Sequence, residues 1–208
     1  MSTDRSQDPY PSLEAAAEAV RSAPETGDLG RRMLATLMLA EQRTERARLR
    51  AERAEAEAST DVLTGVCNRR HWDRLIAAEE RRCARYGHRA CVVAVDLDEL
   101  KVVNDSAGHR AGDELLCAAA GALSSASRAT DTVARVGGDE FAILGVDTDL
   151  QTARVLITRL GETLAAAGVQ ASLGLAERES ETGIAGAWAQ ADRRMYAAKR
   201  RRSETGGE

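Results

Sequence analysis

The sequence predicts an α+β domain, with helices packed on a mainly antiparallel sheet, preceded by a long N-terminal helix. Three observations predict it. Short Val- and Ala-rich runs suited to strands alternate with longer segments of helical pattern. From about Asp28 to Ala58 there is no proline and, after Gly30, no glycine, while Ala, Arg, Glu and Leu dominate. All three prolines fall within the first 24 residues, so none interrupts a later element.

In order, residues 1–27 read as a flexible arm, with S-L-E-A-A-A-E-A-V-R-S-A (12–23) as a short helix capped by Ser12 and stopped before Pro24. Residues 28–58 read as one helix. Met33, Leu37, Ala40, Thr44, Ala47, Ala51, Ala54 and Ala58 recur in steps of four and three, the a/d spacing of a coiled coil. Alanine dominates that seam, so each layer buries little; a solvated single helix held by surface charge pairs is the alternative. Ser59 to Asp61 mark a break.

After the break come a helix (68–85), a strand (90–97), a helix (112–127), the hairpin around 133–146, a helix (151–167), a strand (169–176) and a closing helix (186–201). The order contains βαββαβ, the ferredoxin-like core, and predicts a two-layer sandwich with helices on one face. The second domain is expected over 59–203, with 204–208 as a disordered tail.

Bulk properties narrow the function. A net charge of −4, with both signs interspersed, argues against general nucleic-acid binding. The longest apolar stretch of the first half, Met33 to Ala40, is too short to span a bilayer, and M-S-T-D-R-S-Q-D lacks the build of a secretory signal. Cys67, Cys83, Cys91 and Cys117 form no C-x-x-C pair and no metal spacing with His71, His88 and His109. Reduced thiols in a cytoplasmic protein are the expectation, and a zinc enzyme is not.

The hairpin V-A-R-V-G-G-D-E-F-A-I-L-G-V (133–146) carries Asp139 and Glu140 on a tip opened by Gly137 and Gly138. Acids at turns often only keep a loop wet. Here, however, A-C-V-V-A-V-D-L-D-E-L-K ends a buried run on Asp96 and Asp98, and a ferredoxin-like sheet sets that strand beside the hairpin. Asp96, Asp139 and Glu140 converging without a basic neighbour would repel unless a cation sat among them. All-oxygen donors favour Mg²⁺ or Mn²⁺. A helical turn after Asp98, with Lys101 beside it, suits phosphate. Asn104 and Asp113 flank a glycine-containing loop. A carboxylate accepts two donors at once, as guanine's edge requires, although on spacing alone Asp113 reads more simply as an acid at a helix N-terminus.

Six blocks in order then resemble the GGDEF-domain diguanylate cyclases over about residues 59–200: D-V-L-T-G-V-C-N-R-R (61–70), D-L-D-E-L-K-V-V-N-D (96–105), G-H-R-A-G-D (108–113), R-V-G-G-D-E-F (135–141), S-L-G-L-A (172–176) and A-D-R-R-M-Y-A-A-K (191–199). The resemblance implies a nucleotidyl-cyclase-like palm. It implies condensation of two GTP to cyclic di-GMP with release of two pyrophosphates, across a dimer in which each protomer holds one GTP. It implies Asp96, Glu140 and the Leu97 carbonyl as metal ligands, two ions per site when GTP is bound. Asp139 would bind metal or assist deprotonation of the 3′-hydroxyl. Gly137 and Gly138 would border the α-phosphate and ribose. Glu99 and Leu100, through their backbone, with Lys101 and Lys199 would hold the outer phosphates, and Asn104 and Asp113 would read guanine.

Arg128-Ala-Thr-Asp131 lies where the family carries an inhibitory product site, which Arg159 would complete. The sequence departs from the family's pattern at Leu100, where phenylalanine is common. It also departs in the K-R-R-R-S ending, where Ser203 stands in the place of an arginine that often contacts phosphate, so that Arg202 or Arg201 would have to substitute. The expected partners are GTP, cyclic di-GMP and a second copy, paired through the N-terminal helix and across the active sites. The alternative is a catalytically silent receptor for cyclic di-GMP or GTP, signalling through that helix.

Overall fold

The computed structural model describes residues 28–205. The short helix expected at 12–23, and residues 206–208 of the expected tail, lie outside the described residues. The chain divides into two units, one ending at Glu57 and the other starting at Ala58. The described part of the first lies within helix α1 (Asp28–Ser59), unbroken as its composition favours. Met33, Leu37, Met38, Leu39 and Leu49 are exposed along it.

The second unit begins with β1 (Cys67–Asn68) and α2 (Arg69–Tyr86). The Asn68 side chain caps α2 by accepting from the His71 N–H, and Gly87 ends the helix in the left-handed region at φ 72°. Then follow β2 (Ala90–Leu97), α3 (Leu100–Ala107), α4 (His109–Ala126), β3 (Thr132–Arg135), β4 (Glu140–Val146), α5 (Leu150–Ala166), β5 (Ala171–Glu177) and α6 (Gly183–Thr205). The sheet order is β1-β3-β4-β2-β5. Only β1–β3 is parallel; β2 pairs antiparallel with both β4 and β5, and β3 with β4. The βαββαβ core and mainly antiparallel sheet are therefore as expected. The closing helix runs two residues past the boundary expected at 203, so Glu204 and Thr205 are helical.

The layering differs from expectation. Helices cover both faces of the sheet. Cys91, Val93, Val95 and Leu97 pack under α4 and α5, while Ala90, Val92 and Ala94 pack under α2 and α6. The reason is in β2 itself: all eight residues are buried, and a strand with no polar alternation leaves neither face suited to water. Trp72 of α2 meets Trp188 of α6 with ring centroids 5.5 Å apart, closing this second layer.

α6 crosses β5 very closely. A Cβ on Gly174 would lie 2.0 Å from the Ala191 carbonyl oxygen and 2.3 Å from the Met195 nitrogen, so only glycine admits the helix there. That approach brings the end of α6 to the edge where β2 ends.

Candidate active site

Asp96 is directly opposite Glu140 on β4 and Ser172 on β5. Residues opposite one another in a ladder share a face, here the face covered by α2 and α6. The tip folds back on its own strand, with the N–H groups of Val136 (2.9 Å) and Gly137 (3.2 Å) donating to the Glu140 carbonyl. The Leu97 N–H donates to the Asp139 carbonyl at 3.1 Å, which docks the tip on the end of β2. A Cβ on Gly137 would lie 2.3 Å from Oε2 of Glu140. The first glycine of the signature thus makes room for the acid three residues later.

Arg135 braces the tip. Its Nε and Nη2 donate to the Gly138 carbonyl at 3.2 and 2.7 Å, and its Nη1 reaches Oδ1 of Asp61 at 3.3 Å. The Asp61 carboxylate also accepts from the N–H (2.9 Å) and hydroxyl (2.6 Å) of Thr64. The D-V-L-T-G segment is therefore tied to the hairpin by a charge-assisted chain, a role that sequence reasoning missed. The signal was an arginine two residues before the paired glycines.

The electrostatics correct one expectation: the acids do have a basic neighbour. Lys199 of α6 forms an ion pair with Asp96. Burial pushes the Asp96 carboxyl upward; Lys199 opposes this, while the charges of Asp139 and Asp98 add to it, leaving it above the usual range. Glu140, the exposed first residue of β4, is raised as well, first by partial desolvation and then by Asp139, Asp96 and Asp192. Burial alone would lower Lys199, but Asp96 and the neighbouring acids hold it above its ordinary value.

Among the described residues no group of three or more acids, histidines or cysteines is placed to hold a metal ion. The donor chemistry nonetheless suits a hard dication. Asp96 and Glu140 offer only oxygen, and both titrate high partly because acids crowd them, a repulsion that a dication relieves.

Past β2 the chain turns into α3, whose N-terminal residue Glu99 makes no side-chain cap. Asp98 is fastened on both oxygens: Oδ1 accepts from the Ser172 hydroxyl at 2.7 Å and Oδ2 from Nη1 of Arg202 at 2.5 Å. Arg202 also donates to the Ala171 carbonyl at 2.7 Å. Lys101 is exposed beside this turn.

The Asn104 amide lies against α4, where a Cβ on Gly112 would come within 2.0 Å of Oδ1 of Asn104. This sets Asn104 beside the segment that carries Asp113, which is itself exposed. Since α4 starts at His109, three residues before the expected start, Asp113 lies beyond the first turn. There the helix dipole has largely faded as a reason for an acid.

Arg128, Asp131 and Arg159 meet at one cavity of about 340 Å³, shared with Thr148 and Gln151. The Arg128 N–H donates to Oδ2 of Asp131 at 2.9 Å, while Oδ1 of Asp131 is buried with no hydrogen-bond partner. Nε of Arg159 holds the Ala126 carbonyl at 2.7 Å, so the end of α4 is joined to the middle of α5 at the cavity wall.

The family description "Diguanylate cyclase, GGDEF domain" matches residues 58–205. The chain belongs to the GGDEF diguanylate cyclase family. Probable diguanylate cyclase DgcC of Escherichia coli K12 is 36% identical over 112 residues, 54% of this chain and 30% of DgcC. Diguanylate cyclase DgcM of the same strain is 33% identical over 162 residues, 75% of this chain and 39% of DgcM. The chain thus spans less than half the length of these two relatives. The crystal structure of the coiled coil and GGDEF domain of DgcB from Caulobacter crescentus, in complex with c-di-GMP, superposes with a TM-score of 0.73 at 26% identity. That match covers 85% of this chain and 96% of that one.

In this GGDEF domain the residues singled out from sequence fall into three places. Asp96, Leu97, Asp139, Glu140, Gly137, Gly138 and Lys199 gather where β2 meets the hairpin. Glu99, Leu100, Lys101, Asn104 and Asp113 lie along the start of α3 and α4. Arg128, Asp131 and Arg159 share the cavity between the α4–β3 loop and α5. Among the described residues no helix is long and apolar enough to cross a membrane.

Proposed function

We propose that this chain is a diguanylate cyclase that condenses two GTP to cyclic di-GMP and releases two pyrophosphates. The observation that carries it is Asp96 opposite Glu140 at a glycine-opened tip, within a family whose curated relatives are named diguanylate cyclases. Asn104 and Asp113 hold guanine, the carboxylate accepting from its ring N–H and exocyclic amine. Lys101, Lys199 and the backbone of Glu99 and Leu100 hold the outer phosphates, while Gly137 and Gly138 let the ribose and α-phosphate approach the backbone. Mg²⁺ or Mn²⁺ bound by Asp96, Glu140 and the Leu97 carbonyl would stabilise the charge that develops on the transferred phosphate. Asp139 either adds to that ligand set or takes the proton of the attacking 3′-hydroxyl.

Each chain holds one GTP, so turnover needs two chains face to face, and the exposed Met33 and Leu37 of α1 support pairing through a coiled coil. Product binds in the cavity of Arg128, Asp131 and Arg159 and restrains turnover; the unpartnered Asp131 oxygen supports a ligand there. The same cavity also favours a second reading, a receptor that binds cyclic di-GMP without turnover.

Purified protein given GTP and Mg²⁺, with and without a phosphodiesterase that removes product, decides between them. Cyclic di-GMP from the wild type but not from Glu140→Gln, made faster as product is removed, supports the cyclase and its feedback. No product, together with tight cyclic di-GMP binding lost in Arg128→Ala, makes it a receptor. Activity and dimerisation unchanged in Met33→Glu/Leu37→Glu would refute pairing through α1.

A further inference from the structure

We propose that Asp98 is a positioning residue, locked by Ser172 and Arg202, that sets the phosphate-facing turn 98–101 against the end of α6; this rests on the cyclase reading above. The sequence delivers two acids, Asp96 and Asp98, and pattern alone makes them equivalent. The structure separates them. Asp96 is tied to a lysine of α6. Asp98 is tied to three neighbours: Ser172 on Oδ1, Arg202 on Oδ2 and, through its N–H, the Gln170 carbonyl at 3.0 Å. Its side chain is only 11% exposed, and both of its carboxylate oxygens already accept charge-assisted bonds that fix its orientation.

The geometry explains how one helix serves both acids. Asp96 and Asp98 are two apart on an extended chain, about 7 Å. Lys199 and Arg202 are three apart on a helix and so lie on one face, about 5 Å along the axis. The two spacings are close enough for Lys199 to meet Asp96 while Arg202 meets Asp98. Because Arg202 also holds the Ala171 carbonyl, β5, the turn and α6 are joined through one guanidinium. The backbone of Glu99 and Leu100 follows directly from that joint, as does Lys101. Arg202 therefore acts on phosphate binding through the turn.

The test compares Asp98→Asn, Arg202→Met, Arg202→Lys and the double variant Asp98→Asn/Arg202→Met. For Asp98→Asn and Arg202→Met, KM for GTP should rise about tenfold with a smaller change in kcat. The double variant should be no worse than the poorer single, as for residues acting as one unit. Arg202→Lys should recover part of the loss, and the Mg²⁺ concentration for half-activation should stay within about twofold of wild type in every variant. A rise of about tenfold or more in that Mg²⁺ requirement for Asp98→Asn alone would make Asp98 a ligand and overturn the proposal. So would KM values equal to wild type.

Amide exchange across residues 98–104 gives a readout independent of turnover. Faster exchange in Arg202→Met supports the lock, and unchanged exchange overturns it. If the wild type makes no cyclic di-GMP, the cyclase reading fails, and the exchange result still decides the positioning role.

Discussion

The Ala191 carbonyl of α6 rests on Gly174 of β5 with no room for a methyl group between them: a Cβ would stand 2.0 Å from the oxygen. Lys199 and Arg202 lie farther along the same helix, so their placement depends on this contact. Gly174→Ala should therefore push α6 outward. Overpacking of this kind costs about 1–3 kcal/mol. Turnover should fall further than the fraction unfolded accounts for, read by denaturant unfolding beside GTP assays. Wild-type stability and kinetics together would show that the helix is free to shift without consequence.

Gly137→Ala should separate chemistry from stability. The added Cβ meets Oε2 of Glu140 at 2.3 Å, and Gly137 is not among the positive-φ residues, so the clash falls on the acid and not on backbone conformation. Displacing a reacting group by about 1 Å costs on the order of 100-fold in rate. The expected result is that loss in kcat with little change in melting temperature. Retained kcat would mean that Glu140 does not need its present place.

Glu140→Gln should be more stable than the wild type near neutrality and inactive. Partial desolvation and the nearby acids raise the carboxyl pKa of this solvent-exposed side chain in the folded state, so the folded protein holds the proton to a higher pH than the unfolded chain does. Stability accordingly falls as pH climbs from the unfolded carboxyl range through the folded one, and the deficit is full above both. Melting curves against pH should show the variant ahead at pH of about 7 and the gap closing below about pH 4. A variant less stable than wild type at neutral pH would contradict the sign.

Arg128→Ala should straighten progress curves. Arg128 lines the 340 Å³ cavity with Asp131 and Arg159, on the α4–β3 loop and α5 and not where β2 meets the hairpin. Initial rates should match wild type while inhibition by added cyclic di-GMP weakens at least about tenfold. Unchanged inhibition would move the product site elsewhere.

Much of this was legible in the sequence, because much of it is local. The strand 90–97 matches β2 end to end, and the hairpin was plain from paired glycines between apolar runs. β1, with two residues, is too short to carry a periodic pattern. The second helical layer was legible but misread: six consecutive apolar residues in β2 meant two covered faces. The ion pairs of Lys199 with Asp96 and Arg202 with Asp98 join residues more than 100 positions apart. No spacing rule reaches that far; only the close crossing of α6 over β5 creates them.

The seam between α2 and α6 contains both tryptophans of the chain, Trp72 and Trp188, in ring contact. Tryptophan fluorescence of the unmodified protein therefore comes from this one seam, which includes the helix carrying Lys199 and Arg202. Any shift of α6 as nucleotide arrives would change indole emission with no dye attached and no residue replaced, which gives the molecule a built-in optical gauge at stopped-flow speed.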